Sequence, residues 1–112
     1  MVKAVALKKR YILCYVNFAD SNSVSASELK RGIYNEALKF FGEYLSSFVA
    51  LKFVEYSAAK RVVLLRCNRD FYGEVLGFLA LINNLNGKKA RVIARKASGT
   101  IKGLDKKETS ED

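Results

Sequence analysis

Residues 10–18 read RYILCYVNF and residues 61–67 read RVVLLRC. Nearly unbroken runs of β-branched, aromatic and aliphatic side chains of this length suit strands at the centre of a sheet, buried on both faces. Working outward from Arg10 to Phe18, a polar turn over residues 20–24 leads to Ser25-Ala-Ser-Glu28, the spacing of a capping box ahead of a helix. Leu29, Ile33, Ala37, Phe40 and Phe41 then recur at helical spacing, with Lys30, Glu36 and Lys39 on other faces, so an amphipathic helix ending near Gly42 is expected. A short helical turn over Glu43 to Phe48 follows, and Ala50 to Tyr56 alternates as a strand. Residues 57–60 make a short loop into Arg61 to Cys67, which predicts an antiparallel hairpin. Asp70 is placed to cap a second helix, whose apolar stripe runs through Phe71, Val75, Phe78, Leu79, Ile82 and Leu85 until Asn86-Gly87 stops it. A last strand is expected from Lys89 to about Ala97.

Strand, helix, strand, strand, helix, strand is the split βαβ order. It predicts an α+β two-layer sandwich, ferredoxin-like or RRM-like (βαββαβ), with a four-stranded antiparallel sheet, strands two and four outermost and both helices on one face. Residues 1–102 are read as one domain and residues 103–112 as a charged, frayed tail. Alternation puts Ile12, Cys14 and Val16 on one face of the first strand and Tyr11, Leu13 and Tyr15 on the other. With Val62, Leu64 and Arg66, the second set forms a largely apolar patch away from the helices that something should cover. The candidates are stacked single-stranded bases, a protein partner, or the Glu43 to Phe48 segment. The third strand has neither the glycine nor the aromatics of an RRM signature, which argues against base reading of the RRM kind.

Lys and Arg number 20 against 11 Asp and Glu, a net charge of +9, which concentrates polyanions around the chain. Lys88, Lys89, Arg91, Arg95, Lys96 and Lys102 fall in one stretch without an acid, and Lys8, Lys9 and Arg10 form a second cluster, so nucleic acid is the first partner to consider. No apolar run approaches the roughly 20 residues of a membrane span. The start has too short an apolar centre for a signal peptide, so a cytoplasmic location and no membrane contact are expected. Cys14 and Cys67 are the two cysteines and there is no His, which precludes a four-ligand zinc site within one copy and makes buried, inert thiols the expectation.

Without His, acid–base chemistry would fall on carboxylates or lysines, and Glu28, Glu36, Glu43, Glu55 and Asp70 are scattered rather than paired as a two-metal site requires. No catalytic or metal-binding residues are therefore assigned. Residues 95–102, RKASGTIK, place small hydroxyl residues and a glycine between cations after a strand. Such a turn can offer backbone N–H groups, Ser98 and Thr100 to a phosphate, with Lys96 and Lys102 as charge partners. It is equally an ordinary strand-terminating turn.

The Arg10-Tyr11-Ile12 opening, the capped helix ending in Phe41-Gly42, Arg66-Cys67 closing the third strand, and above all Ser98-Gly99-Thr100-Ile101-Lys102 resemble the protein component 2 family of archaeal ribonuclease P. That family is related to a eukaryotic subunit shared by ribonucleases P and MRP, and the resemblance spans about Lys9 to Lys102. It implies a protein cofactor of an RNA enzyme that removes the 5′ leader of precursor tRNA by Mg²⁺-dependent hydrolysis. In such a particle the RNA supplies the catalytic groups and binds the Mg²⁺, and this chain binds no cofactor. The implied partners are the ribonuclease P RNA, precursor tRNA indirectly, and a TIM-barrel-fold subunit in a heterodimer, two of which join into a tetramer. Carried over from the motif are Ser98, Gly99, Thr100, Ile101 and Lys102; assigned to RNA from charge are Lys8, Lys9, Arg10, Arg91, Arg95 and Lys96. Tyr11, Leu13, Tyr15, Val62, Leu64 and Arg66 are assigned to a protein partner. The alternatives are a ribosomal or other RNA-binding protein of this fold, and a ferredoxin-like module that binds a small metabolite.

Overall fold

The computed structural model describes residues 8–19 and 24–100. Its elements are β1 (Lys9–Phe18), α1 (Ala26–Val49), β2 (Lys52–Ser57), β3 (Val62–Asn68), a 3₁₀ turn (Arg69–Phe71), α2 (Tyr72–Leu81), β4 (Asn84–Leu85) and β5 (Lys88–Ser98). All neighbouring strands are antiparallel, in the order β2-β3-β1-β5-β4. Ile12, Cys14 and Val16 of β1 and Val63, Leu65 and Cys67 of β3 are buried against Leu29, Ile33 and Ala37 of α1 and Val75, Phe78 and Leu79 of α2. Burying each large aliphatic side chain contributes about 1.5–3 kcal/mol, so this layer holds the two helices on the sheet.

The capping box forms. Glu28 N donates to Ser25 Oγ at 3.2 Å and Ser25 N donates to Glu28 Oε1 at 3.1 Å. The carboxylate that accepts this backbone bond is held below the usual glutamate range, chiefly by that bond. Gly42 has φ 79° and ψ 168°, a conformation closed to residues with a Cβ, and it breaks α1 where the periodicity ends. Helix resumes to Val49, which enters the helix-side core, while Ala50 at φ 53° terminates it. Asn68 Nδ2 donates to Phe48 O at 3.0 Å, which ties this segment to the end of β3. Glu43 to Phe48 therefore belongs to the helical layer and does not cover the second sheet face.

Four expectations about the elements change. The sheet has five strands, because Asn86 (φ 54°) and Gly87 (φ 84°) form the left-handed turn of a hairpin between β4 and β5 instead of stopping a helix. α2 accordingly ends at Leu81, and Ile82 and Leu85 reach the core from extended chain. Asp70 does not cap: Asn68 Oδ1 accepts from Asp70 N at 3.0 Å and caps the 3₁₀ turn. β1 is not buried evenly on both faces, since Tyr15 stays 38% exposed. The polar turn at residues 20–23, Ile101, Lys102 and the tail at 103–112 lie outside the described residues.

Candidate nucleic-acid interface

Directly opposed residues of an antiparallel sheet share a face. On the face away from the helices one row runs Lys52, Arg66, Tyr11, Ser98; the next runs Glu55, Leu64, Leu13, Lys96; the third runs Ser57, Val62, Tyr15, Ile93. Asn17 and Arg91 follow as a pair, and Lys9 lies one row beyond Tyr11. Tyr11, Leu13, Tyr15, Val62, Leu64 and Arg66 thus share the face on which alternation put them. Leu13 and Leu64 are buried there, in a small cluster with Tyr11, Val54 and Val62.

A β-bulge in β5 decides where the cations of its second half fall. Pairing shifts from Cys14↔Ala94 to Leu13↔Lys96, so Arg95 is an extra residue in β5. Strict alternation from the buried Ala90 and Val92 would have turned Lys96 toward the core. The bulge reverses the parity and brings Lys96 and Ser98 onto the open face instead. It also lays the Arg95 guanidinium 4.5 Å from the Tyr15 ring centroid, a cation–π contact that leaves the group's N–H edges available to a ligand. Lys9, Lys52, Arg66, Arg91, Arg95 and Lys96 surround the apolar stripe, and among the described residues Glu55 is the one acid on that face. The other described acids, Glu28, Glu36, Glu43, Asp70 and Glu74, belong to the helical layer. In those same elements Lys30, Arg31, Lys39 and Arg69 offset the acids, so the helical layer is near neutral while the open sheet face is strongly cationic.

The remaining expected contacts divide. Arg10 points to the helix side, with its guanidinium 5.0 Å from the Tyr72 ring centroid, away from the cationic face. Lys8 is exposed, and its carbonyl accepts from Arg69 N at 2.8 Å, fixing the entry to β1. In the Ser98-Gly99-Thr100 turn the Thr100 N–H donates to Ser98 Oγ at 3.2 Å, so this amide is directed into the turn rather than outward. Cys14 and Cys67 are buried free thiols, pushed up to about 12 and about 11 by burial, with Arg10 opposing the rise at Cys67.

Sequence reasoning passed over two features. Lys52 was read only as part of a strand, and pairing with Arg66 adds it to the cationic face. Leu38, Phe40, Tyr44, Leu45, Phe48 and Leu81 form exposed apolar surface on the helical layer, with Tyr44 78% exposed. Phe40, assigned to the buried stripe by its spacing, stacks outside Phe41 and Phe78 with ring centroids 4.9 and 5.5 Å away. A break in phase after Gly42 is the signal that Tyr44 and Phe48 need not follow the core stripe.

Residues 10–108 match the family described as Rpp14/Pop5. The chain belongs to this family. Among its relatives, ribonuclease P protein component 2 of Pyrococcus furiosus is 31% identical over 100 residues, covering 89% of this chain and 82% of the relative. The protein of the same name from Saccharolobus islandicus strain L.S.2.15 is 29% identical over 104 residues, covering 93% and 71%. In solved structures, a chain in the cryo-EM structure of yeast ribonuclease MRP superposes with a TM-score of 0.66 over 97% of both chains at 9% identity. That likeness is one of fold. The region matched to the family takes in every element of the sheet and both helices.

Proposed function

We propose that this chain is a protein subunit of ribonuclease P, the ribonucleoprotein of tRNA processing, and that it binds and supports the catalytic RNA without supplying catalytic groups of its own. The observation that carries the reading is a cationic sheet face, extended along β5 by the Arg95 bulge, on a chain of the Rpp14/Pop5 family. Its relatives carry the name ribonuclease P protein component 2. Folded RNA brings phosphates together against their mutual repulsion, and fixed cations lower that cost and the Mg²⁺ concentration needed to fold and cleave.

On this reading Arg91, Arg95 and Lys96, with Lys9 and the Ser98-Gly99-Thr100 turn, meet RNA phosphates along the β5 half of the sheet. Tyr11, Leu13, Val62, Leu64 and Arg66, towards β3, meet a TIM-barrel-fold subunit. Joining two such heterodimers through this chain would take a second protein contact, and the exposed Phe40, Tyr44, Phe48 and Leu81 surface offers one. The Mg²⁺ belongs to the RNA. Reconstitution tests the proposal: adding this chain with its TIM-barrel partner to the cognate RNA should lower the Mg²⁺ required to cut precursor tRNA. An unchanged requirement would overturn it, as would cleavage by the rigorously purified chain alone.

A further inference from the structure

At the end of the sheet where β1, β4 and β5 meet, a cleft of about 570 Å³ is lined by Asn17, Phe18, Asn83, Asn84, Lys89 and Arg91, among others. These residues come from three separate segments, and among the described residues no acid lines the cleft. Asn17 opposes Arg91 across β1 and β5, and Asn84 opposes Lys89 across β4 and β5. Lys89 and Arg91 are two apart on β5 and share a face, with Asn17 beside Arg91 on the β1 side and Asn84 beside Lys89 on the β4 side, so an amide flanks a cation in each of two rows. The rows are about 7 Å apart along the strand and the strands about 5 Å apart.

The walls are fixed by backbone. Ala19 N donates to Lys89 O at 2.9 Å and Ala90 N donates to Asn83 O at 3.2 Å, so the three segments are stitched together around the opening. Asn84 Oδ1 accepts from Gly87 N at 2.9 Å, which commits one end of that amide to the hairpin turn. Asn17 and Asn83 are exposed. An amide carries both a donor pair and an acceptor, the complement of a base edge, whereas a purely phosphate-binding surface needs only donors. The same face continues along β5 into Arg95 and Lys96.

We propose that this cleft holds one unpaired RNA nucleotide, with Asn17 and Asn83 on the base edge and Lys89 and Arg91 on its phosphates. The proposal rests on the RNA-binding reading above and adds base selectivity to it. An unpaired nucleotide is the fitting class because a base within an A-form duplex does not offer its edge to a cleft of this kind.

The test titrates the full-length chain with labelled short oligoadenylate, oligocytidylate and oligouridylate at several salt concentrations, with Asn17→Ala/Asn83→Ala and Lys89→Gln/Arg91→Gln doubles alongside. Asn84 is left intact because it supports the hairpin, and circular dichroism checks that each double stays folded. The native chain should favour one homopolymer by at least about fivefold. The asparagine double should erase that preference at an unchanged salt slope, while the cation double should keep the ranking and flatten the slope by about 1.4. Equal binding of all three oligomers, or a ranking that survives the asparagine double, overturns the cleft and leaves the RNA reading standing. A free mononucleotide competing as well as the oligomers also overturns it. Failure to bind any oligomer overturns both.

Discussion

Neutralising Arg91 and Arg95 together isolates the electrostatic part of RNA binding, because both side chains are exposed on the open sheet face and neither supports the core. Each phosphate contact to single-stranded RNA contributes about 0.7 to the slope of log K against log salt. Arg91→Gln with Arg95→Gln should therefore flatten the slope by about 1.4, and over a fourfold rise in salt the native chain should lose about sevenfold more affinity than the double variant. Arg95 also leaves Tyr15, but that contact is exposed and contributes only about 0.5–1 kcal/mol to folding, so the domain stays folded. Fluorescence anisotropy with a labelled RNA between about 50 and 200 mM salt reads the effect. Lys39→Gln is the matched control, since Lys39 lies on α1, paired with Glu36 at 3.3 Å, and should leave the slope unchanged. If the double variant keeps the native slope, or the control flattens it equally, the open face is not the RNA-binding surface.

Gly42→Ala forces a Cβ into φ 79°, ψ 168° and should cost about 1–3 kcal/mol, seen as a fall of several degrees in the thermal midpoint by circular dichroism. Asn86→Ala removes a left-handed turn residue and the 2.7 Å bond from Asn86 Nδ2 to Glu28 O that ties the β4–β5 hairpin to α1; a loss of about 1–2 kcal/mol in urea unfolding is expected. Both thiols are raised in the folded chain relative to an unfolded thiol near 9.0, so they favour folding fully below that pH. That contribution falls by about 1.4 kcal/mol per pH unit for each thiol as pH rises from about 9 towards 11 and 12, and urea midpoints measured from pH 7 to 11 should be flat and then decline. At neutral pH neither cysteine should react with a thiol reagent until the chain unfolds.

Periodicity and local chemistry carried most of the fold. The capping box at Ser25 and Glu28, the helix break at Gly42 and the alternation of Ile12, Cys14 and Val16 against Tyr11, Leu13 and Tyr15 each depend on neighbours within a few residues, so the chain states them directly. Asn86-Gly87 shows the limit of that reading. The pair fits both a helix end and a hairpin turn, and the choice was made by packing: Leu85 is buried and a Cβ on Gly32 would sit 3.1 Å from Asn86 Nδ2 and 3.3 Å from Leu85 Cβ. A bare helix backbone at Gly32 lets the hairpin come this close.

By itself the sequence determined the basic charge, the α+β order, the two faces of β1 and the resemblance to a ribonuclease P protein family. Only the tertiary structure decided where the charge goes. One inserted residue at Arg95 reverses which side of β5 every later side chain takes, and strand pairing sets Lys52 beside Arg66 and brings Asn17, Asn83 and Asn84 to one cleft. These depend on register between strands distant in sequence. A side-chain period of two makes a one-residue shift enough to move a cation from the core side of a sheet to its open face.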